Sequence, residues 1–274
     1  MGRIEDIREI SEVVELATKF LICGTLKAKL PYDKVELTRA KNRRLRLGLM
    51  GMHEWLIQRG EKYEVTTELH NWLSVYKGAS NKASKATADR LSISRPIANR
   101  AIAPTGSIGI LTGSSTGVEP LFAVAYKRRY LRGNTWRYQY VVDSAAAKLI
   151  DRYDTDPESI ESALDLASGY ERRMKFQAEV QNYVDQSISS TINLPAWGSK
   201  PNNEDTVPEF AEALAKYTPR LRGFTCYPDG SRGGQPLTSV PYSEVVEKFG
   251  EEFDEHVETH DICDISNTGG TCGV

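Results

Sequence analysis

Stretches patterned as helix and stretches patterned as strand take turns along this chain, and that alternation restricts the fold more than any other feature of the sequence. Ile4, Ile7, Ile10, Val13, Val14, Ala17 and Leu21 recur at three- and four-residue spacing, the stripe of an amphipathic helix. LRLGLM (45–50) reads as a short strand, and the helix after it closes at Arg59-Gly60. A longer helix is expected from Thr67 to about Leu91, with Leu69, Trp72, Leu73, Tyr76 and Ala79 on one face, broken by Arg95-Pro96. Phe176, Val180, Tyr183, Val184 and Ile188 form another stripe that runs into a strand at 190–194. A helix around Phe210 and Leu214 then precedes a strand at 221–227, ended by the turn Pro228-Asp229-Gly230. Helix and strand in alternation predict an α/β protein with parallel strands. Segments 121–131 and 136–142 are rich in β-formers and read as strands or a ribbon.

With 274 residues, 40% of them hydrophobic, the chain can bury a core. Its 35 basic and 37 acidic residues leave a formal charge of -2, so no global field recruits nucleic acid or an anionic membrane. Small anions must be met locally. The first residues are charged and periodic, and no run approaches the roughly 20 apolar residues of a membrane span. The reading is a cytoplasmic protein with neither membrane nor nucleic acid as partner. Lys127, Arg128, Arg129, Arg132 and Arg137 are assigned to a solvated strand edge rather than a nucleic-acid patch. Four scattered cysteines do not make a disulfide framework, and Cys23, closing the first helix, is expected as a small core residue. His53 and His70 lack a second ligand at metal spacing, so no metal site is expected.

APTGSIGILTGSSTGVEP (103–120) has the composition of an anion-holding turn. Glycine-rich turns and helix N-termini aim several N–H groups at one point, which is what a phosphate needs. Pro104-Thr105-Gly106-Ser107 suits that role, with hydroxyls as further donors and Gly106 letting the backbone approach. The stretch has no P-loop lysine and matches no GxGxxG, so by spacing alone a structural turn fits equally well. Residues 113–120 read as the turn leading to the next strand.

Taken in order, NRRLRLGLMGMHEWL, APTGSIG, SSTGVEP, VDQSISSTINLP and RGFTCYPDGSR closely resemble the C-terminal half of the catalytic large subunit of ribonucleotide reductases, over about Ile4 to Gly234. The class II, adenosylcobalamin-dependent branch fits better than class I, whose two adjacent tyrosines are replaced here by Cys226-Tyr227. The resemblance implies an α/β fold, the second half of a ten-stranded barrel over residues 1–237, with a flexible tail from 238 to 274. It implies that Pro104, Thr105, Gly106, Ser107 and Ile108 hold the phosphates of a ribonucleotide substrate at the barrel mouth. The family's radical chemistry also needs a cysteine in an N-x-C-x-E motif and two reducible barrel cysteines, and none of these occurs here. No residue of this chain is therefore expected to catalyse the radical step. An N-terminal half, on a separate chain or a missing segment, would bring those groups, and the assembled enzyme would bind adenosylcobalamin. Cys263 and Cys272 match the family's tail cysteines, a redox shuttle served by a thioredoxin-like reductant. A zinc site with His256 or His260, or bystander thiols, remain open for that pair. The expected function is this portion of a ribonucleotide reductase. The alternative is a non-catalytic nucleotide-binding or assembly module on the same fold.

Overall fold

The structure, a computed structural model, describes residues 1–132, 135–231, 237–248 and 250–256. Helix α1 (Ile7–Lys27) starts where the Asp6 carboxylate accepts from the Arg8 N–H, and buries Ile10, Val14, Thr18 and Ile22 against α4 (Thr67–Arg90). Thr66 caps α4 by accepting from the Leu69 N–H, and the helix buries Leu69, Trp72, Leu73 and Tyr76 in its first turns. Each such side chain removed from water stabilises the fold by about 1.5–3 kcal/mol. Small residues further along, Ser80, Ala83, Ser84 and Ala88, are buried too. Between these helices lie α2 (Asp33–Asn42), which buries no residue, and α3 (Met52–Ile57), which is almost wholly buried.

Four extended segments run parallel. The Leu45 and Leu47 N–H groups donate to the carbonyls of Ala98 and Asn99, and Ala101 N–H returns a bond to Leu47. On its other side the second segment pairs with the third, Ile102 N–H donating to Ser187 and Ser189 N–H to Ile102. The third continues as β3 (Thr191–Leu194), parallel to β4 (Thr225–Pro228). Helices α7 (Tyr170–Gln181) and α8 (Val207–Tyr217) lie beside the last two. Alternate side chains, Leu47, Ile102, Ile188, Ile192 and Leu194, point into the apolar clusters beneath the helices, and Leu45 is buried as well.

Two buried arginines tie these layers together. Arg100, 1% exposed, pairs with Asp185 at 2.7 Å, donates to Ser80, Asn81 and the Tyr183 carbonyl, and so locks α4 to the third segment. Arg173 of α7 pairs with Glu119 at 2.5 Å and donates to the Thr191 carbonyl, while Glu119 accepts from the Thr191 N–H.

The sequence-based fold class stands, but several expectations need correction. A second sheet is wholly antiparallel, in the order β5 (Leu237–Ser239), β1 (Ala125–Arg132), β2 (Thr135–Val142), β6 (Glu252–His256). Residues 238–256, read as the start of a tail, thus supply two strands and, with α9 (Tyr242–Glu247), cover for the ribbon. Cys23 is exposed, because α1 runs on to Lys27 and position 23 falls on the side opposite α4. Segment 45–50 pairs only around Leu47, and is extended chain rather than a regular strand.

Candidate functional site

The expected anion loop is the start of a helix. Gly106–Thr112 forms α5, entered through Thr105 in the left-handed region at φ 53°. That conformation costs a non-glycine residue roughly 1–2 kcal/mol. Two bonds hold it: Thr105 Oγ1 accepts from the Gly117 N–H at 2.9 Å, and the Thr105 carbonyl accepts from the Gly109 N–H at 2.7 Å. The Thr105 oxygen therefore folds the loop, and only its own hydrogen is left to donate to a ligand. Two glycines are demanded by the packing behind. A Cβ on Gly109 would lie 2.5 Å from the Thr116 methyl, and one on Gly117, itself at φ 48°, 3.0 Å from the Ala103 carbonyl. Gly106 differs, since a Cβ there would meet nothing within 4 Å.

The first N–H groups of α5, at Gly106, Ser107 and Ile108, have no acceptor among the described residues, and these residues and Pro104 are exposed. The far end of the helix is closed by cations: the guanidinium of Arg3 donates to the Thr112 carbonyl and Lys148 Nζ to that of Gly113. Free donors at one end and satisfied acceptors at the other leave the helix open to an anion at its N-terminus.

Pro104 also ends a cleft of about 430 Å³ lined by Arg46, Ala101, Ala103, Ser187, Ser189, Gly223 and Thr225. These are the alternate side chains of the four parallel segments, on the face away from the helices. The face is paved with small and hydroxyl groups, with Arg46 as its cation. Tyr227 stands opposite Asn193 on that same face, whereas the Cys226 thiol packs into the apolar cluster under α8, where burial raises its pKa. No group of three metal-binding side chains occurs among the described residues.

Behind the site, His53 is fully buried, its Nδ1 accepting from the Leu121 N–H at 3.0 Å. Burial, reinforced by the charge of Arg173, lowers its pKa to about 3. It is a neutral structural acceptor. Glu119, in the stretch read only as a turn, is the residue that sequence reasoning missed: it ties that turn to β3 and Arg173. Its signal was present in VEP, an acidic group followed by proline in an otherwise apolar setting. Pro104 to Ile108 lie at the start of α5, with all but Thr105 exposed. Cys263, Cys272 and His260 lie outside the described residues, so the shuttle and zinc readings of the tail rest on sequence.

Comparison with known proteins agrees with this geometry. The ribonucleotide reductase barrel domain matches residues 97–218. The vitamin B12-dependent ribonucleoside-diphosphate reductase of Mycobacterium tuberculosis is 26% identical over 92% of this chain and 40% of its own length. Its namesake in Thermoplasma acidophilum is 25% identical over 87% of this chain and 35% of its own length. The chain thus spans about two fifths of the curated relatives it matches. Among solved structures, a B12-dependent class II ribonucleotide reductase shares the fold, with a TM-score of 0.70 and 15% identity over 87% of this chain and 37% of that one. The second and third parallel segments lie within the stretch that matches the ribonucleotide reductase barrel domain, and the chain over most of its length is similar to part of the B12-dependent ribonucleotide reductases.

Proposed function

We propose that this chain is the substrate-phosphate portion of a B12-dependent ribonucleotide reductase, which converts ribonucleotides to 2'-deoxyribonucleotides by radical chemistry once joined to the part carrying the radical cysteine. The observation that carries the reading is the set of unpaired N–H groups at Gly106, Ser107 and Ile108, exposed at the end of the second parallel segment. A ribonucleotide phosphate placed there would accept from these groups and from the Ser107 hydroxyl, with Pro104 and Thr105 fixing the approach. No carboxylate lines the adjoining cleft, and Arg46 adds a positive charge.

The relatives are named for vitamin B12. In this reading adenosylcobalamin, which supplies the radical when bound, is held by the assembled enzyme, and this chain contributes binding and orientation of the substrate. The tail pair Cys263 and Cys272 would then carry electrons from a thioredoxin-like reductant to the active-site disulfide by thiol exchange.

The test is made in the reconstituted reductase. Ser107→Ala should weaken nucleotide binding by about 1.5–3 kcal/mol, the loss of one hydrogen bond to a charged group. Gly106→Val should weaken it more, because the side chain stands where the phosphate approaches, while its Cβ has no atom of the folded chain within 4 Å. Both variants should melt like the parent. Michaelis constants equal to the parent's for both would remove α5 from the substrate site.

A further inference from the structure

The chain behind α5, residues 115–121, is pinned at successive points. The Ser115 carbonyl accepts from the Gly51 N–H at 2.7 Å, and the Val118 carbonyl accepts from the hydroxyl of Tyr63. The Glu119 carboxylate accepts from the Thr191 N–H at 2.6 Å and from Arg173 at 2.5 Å. The Leu121 N–H donates to His53, and its carbonyl accepts from the Ala163 N–H. Tyr63, between α3 and α4, is itself fixed: it is 1% exposed, its ring stacks on Phe176 of α7 at 4.0 Å, and it meets His53 edge to face at 5.5 Å. A ring held on two sides keeps its hydroxyl in one place.

This strap meets the phosphate loop at Gly117, the residue just before the one Tyr63 holds. The Gly117 N–H donates to Thr105 Oγ1 at 2.9 Å, and Thr105 sits at φ 53°, where an L residue stays only when its surroundings hold it. Gly117 is at φ 48°, and a Cβ there would stand 3.0 Å from the Ala103 carbonyl, so strap and loop lie in close contact. Thr105 is the residue through which the chain enters α5, and its peptide sets the direction in which the N–H groups of Gly106, Ser107 and Ile108 point. Hydrogen bonds weaken steeply as they bend, so a ligand site tolerates errors of only about 0.5 Å in its donors.

We propose that Tyr63 is a positioning residue for the substrate phosphates: its hydroxyl fixes the strap at Val118, and the strap, through the Gly117–Thr105 hydrogen bond, aims the first N–H groups of α5. Tyr63 is buried and does not touch the substrate. It acts on binding through Thr105 alone, while Glu119 and His53 hold the strap on either side of that point. The inference rests on the proposed function and adds to it the buried residue that orients the loop.

The test measures Michaelis constants for the ribonucleotide in the reconstituted reductase. Tyr63→Phe removes one oxygen and leaves the stacked ring in place. Its KM should rise about threefold to tenfold, the worth of one neutral hydrogen bond, with kcat changed less. Thr105→Val has the shape of threonine without the acceptor and should raise KM about tenfold or more, whereas Thr105→Ser keeps the oxygen and should stay within about twofold of the parent. The double variant Tyr63→Phe, Thr105→Val is the decisive one. With the Thr105 oxygen gone, Tyr63 has nothing to act through, so KM should equal that of Thr105→Val alone. Effects that multiply in the double variant, or a parent-like KM in Tyr63→Phe while Ser107→Ala raises it, would overturn this inference and leave the functional reading standing. Reduced kcat at the parent's KM in Tyr63→Phe, which is what loss of folded enzyme produces, would make the residue one of packing only, also against the proposal. Parent-like KM in Ser107→Ala, Gly106→Val and Thr105→Val together would overturn both readings.

Discussion

The two faces of the four parallel segments are built on opposite rules. The face beneath the helices is closed, with Leu45, Ile102, Ile188 and Ile192 almost fully buried and the Arg100–Asp185 and Arg173–Glu119 pairs set between layers. The other face bears alanine, serine, threonine and glycine, with Arg46 the largest of its charged groups. Along one strand the two kinds alternate residue by residue: Ile102 is buried while Ala103 is exposed, and Ile188 is buried while Ser187 is exposed. Folding energy is concentrated on one side, and the other is left free for ligands and neighbouring chain. That division places the α5 N-terminus at the edge of the permissive face.

The largest blow to this contrast should come from Arg100→Ala. It removes the cation paired with Asp185, which keeps only its bonds from the backbone N–H groups of residues 99 and 100, leaves the Tyr183 carbonyl without its donor, and should cost about 3–5 kcal/mol in urea unfolding. Leu73→Ala, a cavity under the helical layer, should cost about 2–5 kcal/mol by the same measurement. Acid should act on the closed side through His53. Its pKa is lowered to about 3 in the folded chain, so below the ordinary value near 6.5 the unfolded chain binds the extra proton. Stability contributed by neutral His53 is complete above that value and falls as pH drops toward 3, by up to about 1.4 kcal/mol per pH unit. Urea midpoints between pH 5 and 7 should show this slope in the parent and a flatter one in His53→Gln. The smallest effect should be Ser187→Ala on the open face, within about 0.5 kcal/mol of the parent. If it cost as much as Leu73→Ala, the distinction between the faces would fail.

Much of this was legible in the sequence, and the parts that were not have physical reasons. The long stripe from Leu69 to Tyr76 announced α4 almost to its ends, because Thr66 caps it and Leu91 closes it. The stripe of α1 was visible too, but its second apolar line was invisible against the first, and Cys23 was placed in the core although it faces outward. Gly106 to Thr112 was read as a loop because glycine, serine and threonine have weak helix propensity. What makes it helical is the Thr105 cap geometry and the cations at Thr112 and Gly113, all tertiary. The strands flanking the ribbon were missed because Leu237–Ser239 is three residues long and Glu252–His256 is strongly acidic; both are recruited by the β1–β2 hairpin rather than by their own propensity. The anion site was legible as composition, while the N–H groups left unpaired at its helix start appeared only in three dimensions.

The pairing of Ile102 with Ile188 joins residues 86 positions apart, with α5, the β1–β2 hairpin, α6 (Ser144–Tyr153) and α7 in between. A ribosome adding about 5–20 residues per second needs roughly 4–17 seconds to cover that distance. Throughout that interval the first two segments exist with their neighbour unmade, their alternate isoleucines and leucines and unpaired backbone groups open to any other nascent chain. Non-local pairing of this kind also folds slowly once synthesis is complete. Yield in the cell should therefore depend on translation speed and on holding chaperones more steeply than the equilibrium stability of the finished fold would suggest.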